Sequence, residues 1–383
     1  MDTRPEMNVI SLADCAGIAR RWMLDAMFPL WAHHGVAPSG LFADRLTLQH
    51  RFLPTQKTRA RVQARQTYVF ASALEMGWSS DRAGALISNG LSALERARCA
   101  RGAVGHLVSM ETGELVTGGG DLYDTAFALF ALAHASTYRA DALETAADIL
   151  KALDTHFRDT ENGGYAETLP RPHDRDQNPH MHMLEACHAL FKATGDQAHL
   201  ARGEEIVRLF ETRMTDHPTG TLCERFAMDW SPLEAESDDI IEPGHQLEWV
   251  WLLGCHARLT GQAVSTSLRP LYETACATLD GKGRVLQRVR RDGTPIDASR
   301  RTWQQTDALK AHLTLFEMTA EALYAERAMT SFHILMDEFL TPEGGWMDQF
   351  DAHGAPVADS MTAATGYHVV LAFRELMRVS GVS

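Results

Sequence analysis

The sequence lacks the features that would place the protein in a membrane or an oxidising compartment. No segment reaches the roughly 18 uninterrupted apolar residues of a membrane helix, and Asp2, Arg4 and Glu6 precede any apolar run, unlike a secretory leader. The six cysteines are scattered singly without a CxxC pair, which favours reduced core thiols over disulfides or a zinc cluster. We therefore expect a cytoplasmic protein.

Positive charge is also scarce. Lys and Arg number 36 against 50 Asp and Glu, and the resulting formal charge of −14 repels phosphate backbones and anionic lipids. Nucleic acid and membrane surfaces are therefore not expected partners. Glycine-rich phosphate loops are absent too, since no GxxxxGK or GxGxxG opens a helix.

The sequence does contain a repeat of about sixty residues. Twelve stretches carry apolar residues at helical spacing, and between every second pair the pattern breaks into Gly-led, alternating segments typical of short strands or hairpins. These segments follow one another at intervals of about 62, 62, 56, 63 and 62 residues, beginning near Gly40, Gly102, Gly164, Gly220, Gly283 and Gly345. The pattern predicts six units of helix, hairpin and helix.

Six such units stack as an open solenoid or close into a ring. An open solenoid needs polar outer faces on its terminal units, whereas the last helix, which begins near Met361, is as apolar as the middle ones. We therefore predict an all-α fold, a single (α/α)6 barrel over residues 1–383 with short β-hairpins at one end. An open helical-repeat scaffold is the alternative.

Polar residues occupy the same place in every unit, just inside the even-numbered helices. A packing role alone would favour Leu, Val or Ala there, because buried polar groups are costly unless they are paired. We expect the six side chains to converge on one pocket at the barrel mouth: Arg65, Tyr123, His182, His245, Gln305 and His368.

Two of these helices share a local pattern, His182 with Glu185 and His245 with Glu248. At i, i+3 an imidazole and a carboxylate lie on one helical face, so we expect each pair to hydrogen-bond and fix the histidine tautomer. A histidine positioned in this way is the usual general acid or base near neutral pH.

Other chemistries fit the residues less well. Three inner histidines from separate helices could hold zinc, but there is no HExxH and we predict no metal. A glycoside hydrolase would use two carboxylates, with Asp124, Glu248 and Asp307 as candidates. A phosphorylated substrate is disfavoured, since we see no local cluster of Arg or Lys near the six pocket positions.

The motifs around these positions resemble those of the N-acylglucosamine 2-epimerase superfamily over nearly the whole chain. Pro243-Gly244-His245-Gln-Leu-Glu248-Trp249 matches the family's Pro-Gly-His-x-x-Glu-Trp almost letter for letter. The other similar segments are Arg65-Gln66-Thr67-Tyr68, Asp121-Leu122-Tyr123-Asp124, Asn178-Pro179-His180-Met181-His182, Trp303-Gln304-Gln305-Thr306-Asp307 and Tyr367-His368.

The resemblance implies an enzyme that acts on a free monosaccharide without a metal or organic cofactor. It implies that His182 assists ring opening and that His245 and His368 are acid and base at C1 and C2. Arg65 and Glu248 would then support the oxygen substituents. The expected substrate-binding residues are Tyr123, Asn178, Trp303, Gln305, Asp307, Trp249 and Trp346.

Two departures from the family pattern bear on the reaction. His180 stands where a second Asn is common, and Ala364-Thr365-Gly366 lacks the Lys or Trp found there in 2-epimerases. These departures favour an aldose-ketose isomerase interconverting mannose and fructose, with lyxose as a related substrate. A sugar 2-epimerase is the alternative enzyme, and an interaction scaffold is the alternative without catalysis. The protein could be a homo-oligomer in each of these cases.

Overall fold

The computed structural model describes residues 11–116, 118–172, 174–216, 218–233 and 239–382. Asp2, Arg4 and Glu6, on which the expectation about a leader rests, lie outside these residues. Among the described residues no helix is both long enough and apolar enough to cross a membrane. All six cysteines are free, and five of them are buried.

Twelve helices form the described part of the chain, in two sets that alternate along it. The odd-numbered set consists of α1 (Leu12–Trp22, continued by a π-helical turn Met23–Met27 and by Phe28–His34), α3 (Ser80–Arg96), α5 (Ala142–His156), α7 (Gln197–Leu209, continued by the π-helical turn Phe210–Met214), α9 (Leu268–Ala277) and α11 (Ala322–Ile334, continued by the π-helical turn Leu335–Phe339). The even-numbered set consists of α2 (Ala60–Glu75), α4 (Leu122–Ala135), α6 (Asn178–Thr194), α8 (Pro243–Thr260), α10 (Thr302–Thr319) and α12 (Thr365–Ser380).

The even-numbered helices form a closed inner ring. Each packs against the next even-numbered helix, and α12 packs against α2 to complete the circle. They are buried on almost every side, whereas the odd-numbered helices bury one stripe against the ring. The predicted (α/α)6 barrel is confirmed, and the open solenoid is excluded because the last inner helix contacts the first.

Local sequence signals set the ends of the inner helices. Helices α6 and α8 start with proline in the first turn, where the missing N–H costs nothing. Both stop at a glycine in the left-handed region, Gly195 with φ 72° and Gly261 with φ 70°. These signals place the first turns of the two helices, and therefore His182 and His245, at the same end of the barrel.

Short strands connect neighbouring units at that end. They are β1 (Arg45–Thr47), β2 (Lys57–Arg59), β3 (Leu107–Ser109), β4 (Asp174–Asp176), β5 (Thr215–Asp216), β6 (Thr221–Leu222), β7 (Arg225–Ala227), β8 (Ile240–Ile241), β9 (Arg288–Arg290), β10 (Pro295–Asp297), β11 (Arg300–Arg301), β12 (Gln349–Phe350) and β13 (Ser360–Thr362). The antiparallel pairs β2–β3, β4–β7, β8–β9 and β11–β12 join successive units, β9–β10 and β5–β6 are hairpins within a unit, and β1–β13 joins the first unit to the last.

The ring is also closed by packing between the first and last units. Trp31 and Trp346 stack with ring centroids 4.6 Å apart, and both side chains are almost fully buried. Trp346 was expected to contact substrate, but it is fully buried in this core and does not line the barrel-mouth cavity described below. Its aromatic ring serves the closure of the barrel.

Candidate active site

A cavity of about 610 Å³ opens at the end of the barrel where the inner helices begin. Five of the six side chains predicted to converge there do line it, and they come from five different helices: Arg65, Tyr123, His182, His245 and His368. Asn178, Trp303 and Glu248 line it as well. A concave site with a few convergent polar groups is the usual form of a small-molecule pocket.

Gln305 is the exception among the six. Its side-chain oxygen accepts from the Val285 N–H at 2.9 Å and its amide donates to the Val285 carbonyl at 3.0 Å. Both groups of the amide are thereby used to hold the chain segment ahead of β9. Gln305 does not line the cavity, and the expectation of a substrate contact is corrected to a structural role.

His245 takes a different partner from the one its sequence spacing suggests. Its Nδ1 lies 2.9 Å from Glu224 and 3.8 Å from Glu242, while Glu248 lies on the inward side of α8 beside Lys310. Burial opposes protonation of the ring, but the Glu224 and Glu242 carboxylates outweigh it and raise the pKa of His245 well above its ordinary value. This shift favours the imidazolium form of His245, and the expected pairing with Glu248 is wrong.

His368 has the opposite electrostatic environment. Burial and the positive charges of Arg65 and Lys310 lower the pKa of His368 well below its ordinary value. Its Nδ1 lies 3.9 Å from the Asp307 carboxylate, too far for a hydrogen bond. This shift favours the neutral form of the His368 ring.

Trp303 lies between the two histidines. Its ring centroid is 5.2 Å from that of His245 and 5.8 Å from that of His368. The indole therefore lies beside two histidines whose pKa values are shifted in opposite directions. Asn178 adds an amide, whose nitrogen is 3.4 Å from His245 Nε2.

His182 lies deeper and is held by a polar pair. Its Nδ1 is 3.0 Å from Glu185, as the sequence spacing predicts, and the Tyr367 hydroxyl donates to the same carboxylate. Burial lowers the pKa of His182 to about 3. His182 is therefore neutral and oriented.

Arg65 supplies positive charge beside these rings. Its guanidinium donates to the Tyr123 hydroxyl at 2.9 Å and lies 4.0 Å from the Phe127 ring centroid and 5.0 Å from that of Tyr367. Among the described residues no carboxylate lies within 4 Å of the Arg65 guanidinium. Its positive charge is therefore not neutralised by an ion pair at the cavity that it lines.

Lys310 is a functional candidate that the sequence reasoning missed. Its ammonium is fully buried, 2.7 Å from Asp307 and 3.5 Å from Glu248. Burial opposes the charge, but the surrounding carboxylates outweigh it and raise the pKa of Lys310. The sequence did contain a signal for Lys310. It stands three residues after Asp307, so the two side chains share the inward face of α10.

Two groups of carboxylates and histidines in the described residues are close enough to hold a metal ion. They are Glu248, Asp307 and His368, and on the rim His106, Asp121 and Asp124. A side-chain cation already occupies each group, Lys310 in the first and Arg61 in the second. Of the carboxylates that a glycoside hydrolase would use, only Glu248 lines the cavity, because Asp124 and Asp307 are turned away into these ion pairs.

Two other expected substrate contacts also lie outside the cavity. Asp307 is fully buried beneath it. Trp249 is fully buried, stacks on Phe210 at 4.1 Å and donates its indole N–H to Gln177 at 2.7 Å. Both residues support the inner helices from behind the cavity wall.

The mouth of the cavity is rich in arginine, contrary to the expectation that no basic cluster lies near it. Seven arginines line it, five from short strands scattered along the chain and two from α2: Arg45, Arg59, Arg225, Arg288 and Arg301, and Arg61 and Arg65. Four acidic residues also line the cavity, and all of them act electrostatically on His245: Asp176, Glu224, Glu242 and Glu248. The cavity is therefore electrostatically asymmetric.

Comparison with known proteins agrees with this fold and geometry. A sequence model of the N-acylglucosamine 2-epimerase (GlcNAc 2-epimerase) family matches residues 40–372. The chain belongs to this family. The resemblance seen in the sequence motifs is thereby confirmed. A histidine-lined cavity agrees with membership of a family of sugar isomerases and epimerases.

Individual family members match over most of their length. The chain is 33% identical over 380 residues to a mannose-6-phosphate isomerase of Rhizobium meliloti strain 1021, covering 94% of this chain and 96% of the relative. It is 27% identical over 327 residues to a D-mannose isomerase of Thermobifida fusca, covering 79% and 80%. A solved cellobiose 2-epimerase from Spirochaeta thermophila DSM 6192 superposes with a TM-score of 0.87 at 25% identity, covering 98% and 99%.

Proposed function

We propose that the protein is an aldose-ketose isomerase that interconverts D-mannose and D-fructose, with D-lyxose and D-xylulose as the related pentose pair. The observation that carries the proposal is the pair of histidines beside Trp303 whose pKa values are shifted in opposite directions, so that His245 favours the imidazolium form and His368 the neutral form. We propose further that the chain works as one catalytic domain without a metal or organic cofactor.

The chemistry requires these two charge states. After ring opening, assisted by neutral His182, His368 removes the proton from C2 while His245 donates a proton to the carbonyl oxygen at C1, which gives a cis-enediol. His368 then returns its proton to C1 as His245 takes the proton from the oxygen at C2, leaving the ketose. Negative charge that develops on the two oxygens lies near Arg65.

The mannose series is supported by the relatives. The names of the Rhizobium and Thermobifida proteins describe isomerases of mannose or its 6-phosphate. The second candidate is a sugar 2-epimerase, which the structural match to the Spirochaeta cellobiose 2-epimerase favours. An epimerase would use the same two histidines on opposite faces of the enediol and return the proton to C2.

Incubation with D-mannose in heavy water, followed by NMR of the sugars, separates these reactions. An isomerase yields fructose, with deuterium at C1 to the extent that the proton on His368 exchanges. An epimerase yields glucose deuterated at C2 and no fructose, which would overturn the proposal. A stable protein that is inactive on a panel of aldoses would instead favour the scaffold.

A further inference from the structure

Tyr123 and His182 lie side by side in the cavity, apart from the two histidines at Trp303. Both line the cavity, and their ring centroids are 5.0 Å apart with the ring planes at 87°. Among the described residues His182 shares no hydrogen bond with His245 or His368. Opening a sugar ring takes a base at the anomeric hydroxyl and an acid at the ring oxygen, so His182 needs a partner for this step.

The hydrogen bonds of His182 leave one ring nitrogen for a substrate. Its Nδ1 lies 3.0 Å from Glu185, whose other oxygen accepts from the Tyr367 hydroxyl. Burial raises the pKa of Glu185, but Lys310 and the Tyr367 hydroxyl favour its ionised form. A proton on Nδ1 that donates to this carboxylate leaves the lone pair on Nε2, which has no hydrogen-bond partner among the described residues. Since His182 is neutral, its Nε2 can act as a base.

The hydroxyl of Tyr123 has a proton to give. The Arg65 guanidinium donates to its oxygen at 2.9 Å, which uses a lone pair and leaves the O–H free to donate into the cavity. The Arg61 guanidinium lies 5.1 Å from the centroid of the same ring. Both positive charges stabilise the phenolate that forms when the proton leaves. Tyr123 is also the only phenol in the described lining of the cavity.

We propose that Tyr123 and His182 are the acid and the base of ring opening, and that they give the protein a second activity, the interconversion of aldose anomers. His182 Nε2 takes the proton of the anomeric hydroxyl, the bond from C1 to the ring oxygen breaks, and that oxygen takes the proton of Tyr123. The products are an open-chain aldehyde, an imidazolium and a phenolate. Closure reverses every transfer, so that both residues regain their starting forms.

The opened aldose closes on either face of its carbonyl carbon. Closure on the opposite face follows a turn about the C1–C2 bond and gives the other anomer. The cavity of about 610 Å³ lies within the range of pockets that hold drug-sized ligands, so the acyclic chain has room for this turn. No proton leaves C2, and the reaction therefore needs neither His245 nor His368. The inference rests on the proposed function only in requiring that an aldose binds in this cavity.

The test uses 2-deoxy-D-glucose beside D-mannose. The deoxy sugar has no hydroxyl at C2, so it forms neither a ketose through an enediol nor a 2-epimer, but its ring still opens and closes. In NMR exchange spectroscopy the wild-type protein should speed the interconversion of the α and β anomers of both sugars in proportion to its concentration. Fructose formation from mannose with anomer exchange of both sugars at the rate in buffer would overturn the inference.

Variants assign the two roles. Tyr123→Phe keeps the ring and removes the proton, and it should lower catalysed anomer exchange by about 10²-fold or more, as should His182→Gln. Tyr138→Phe removes a phenol hydroxyl from a side chain that is 44% exposed, and this matched control should leave the rate unchanged. Undiminished exchange in Tyr123→Phe would exclude Tyr123 as the acid.

Binding of D-mannitol separates acid catalysis from a packing role, because this acyclic alditol has no ring to open. Calorimetry should give a Kd for Tyr123→Phe within about threefold of the wild-type value, and a loss of mannitol binding as large as the loss of exchange would refute the acid role. If no fructose forms but exchange depends on Tyr123, the isomerase proposal fails and this inference stands. If fructose forms and Tyr123→Phe changes neither reaction, the inference fails and the isomerase stands.

Discussion

Glu224→Gln is the sharpest perturbation of the acid side of the site. Glu224 lies 2.9 Å from His245 Nδ1, and both side chains are largely buried. Glutamine keeps an oxygen that accepts from the imidazole N–H and keeps the side-chain volume, but removes the negative charge. The substitution therefore tests the charge of Glu224 and leaves its hydrogen bond in place.

The expected size of the effect follows from the distance. Unit charges about 4 Å apart interact by about 4 kcal/mol at an effective dielectric of about 20. One pKa unit corresponds to about 1.36 kcal/mol, so this interaction is worth up to about three units. Glu242, 3.8 Å from the same nitrogen, remains and continues to raise the pKa. We expect the pKa of His245 to fall by about one to three units.

The sign of the change in activity is fixed by the charge state that His245 needs. As an acid it works while protonated, so kcat/KM falls as the pH rises through its pKa. Glu224→Gln should move this alkaline fall to lower pH and leave the acid side, set by His368, in place. Glu242→Gln should produce a smaller shift in the same direction, and Glu95→Gln on the surface should produce none.

The measurement is a pH profile of kcat/KM, which reports ionisations of the free enzyme. NMR titration of ¹⁵N-labelled histidine provides the same pKa without reference to any substrate. An alkaline limb that stays in place in Glu224→Gln, together with an unchanged His245 titration, would refute the assignment of His245 as a carboxylate-stabilised imidazolium.

Three further substitutions test other parts of the structure. His368→Ala should lower kcat by about 10²- to 10⁴-fold without changing the circular dichroism spectrum, and retained turnover would exclude it as the base. Lys310→Met leaves buried carboxylates without a counter-charge and should lower the free energy of unfolding in urea by about 3–5 kcal/mol. The double variant Lys310→Met/Asp307→Asn should regain part of this free energy. If it regains none, the ion pair is contradicted. Trp346→Ala removes the stack on Trp31 and should cost about 3–5 kcal/mol of stability, whereas a change confined to KM would restore a substrate role.

Much of the fold was predictable because each unit repeats the same physical pattern. The phase of Arg65, Tyr123, His182, His245 and His368 within the repeat placed them on five inner helices at one end. That inference needs only the helical period and the order of elements. Gln305 shares the phase but not the role, because an amide offers both a donor and an acceptor and satisfies the backbone of Val285.

The partners of these residues were less predictable. The spacing of His182 and Glu185 gave a correct pair, since both stand on one helix. His245 instead pairs with Glu224, which precedes β7 and reaches the imidazole only through the fold. Spacing along a helix predicts which side chains share a face of that helix. It does not predict Glu224, because this carboxylate comes from the chain segment before α8 and not from the helix itself.

The arginines at the cavity mouth could not be predicted from the sequence for a related reason. Arg45 and Arg301 lie in strands of the first and fifth units, more than 250 residues apart in the sequence. Only the pairing of β1 with β13 and of β11 with β12 sets them around α12. A cluster assembled by ring closure has no signature in any single window of the sequence.

Closure of the ring by α12 also has a consequence for biosynthesis. This helix contacts α2 and α10, supplies both Tyr367 and His368, and follows β13, which pairs with β1. On the ribosome, the flanks of α2 and α10 that α12 covers stay exposed until that last inner helix has emerged, a state open to capture by chaperones. The base that we assign to the reaction arrives with the same helix, so a nascent chain cannot act on sugar before its barrel is whole.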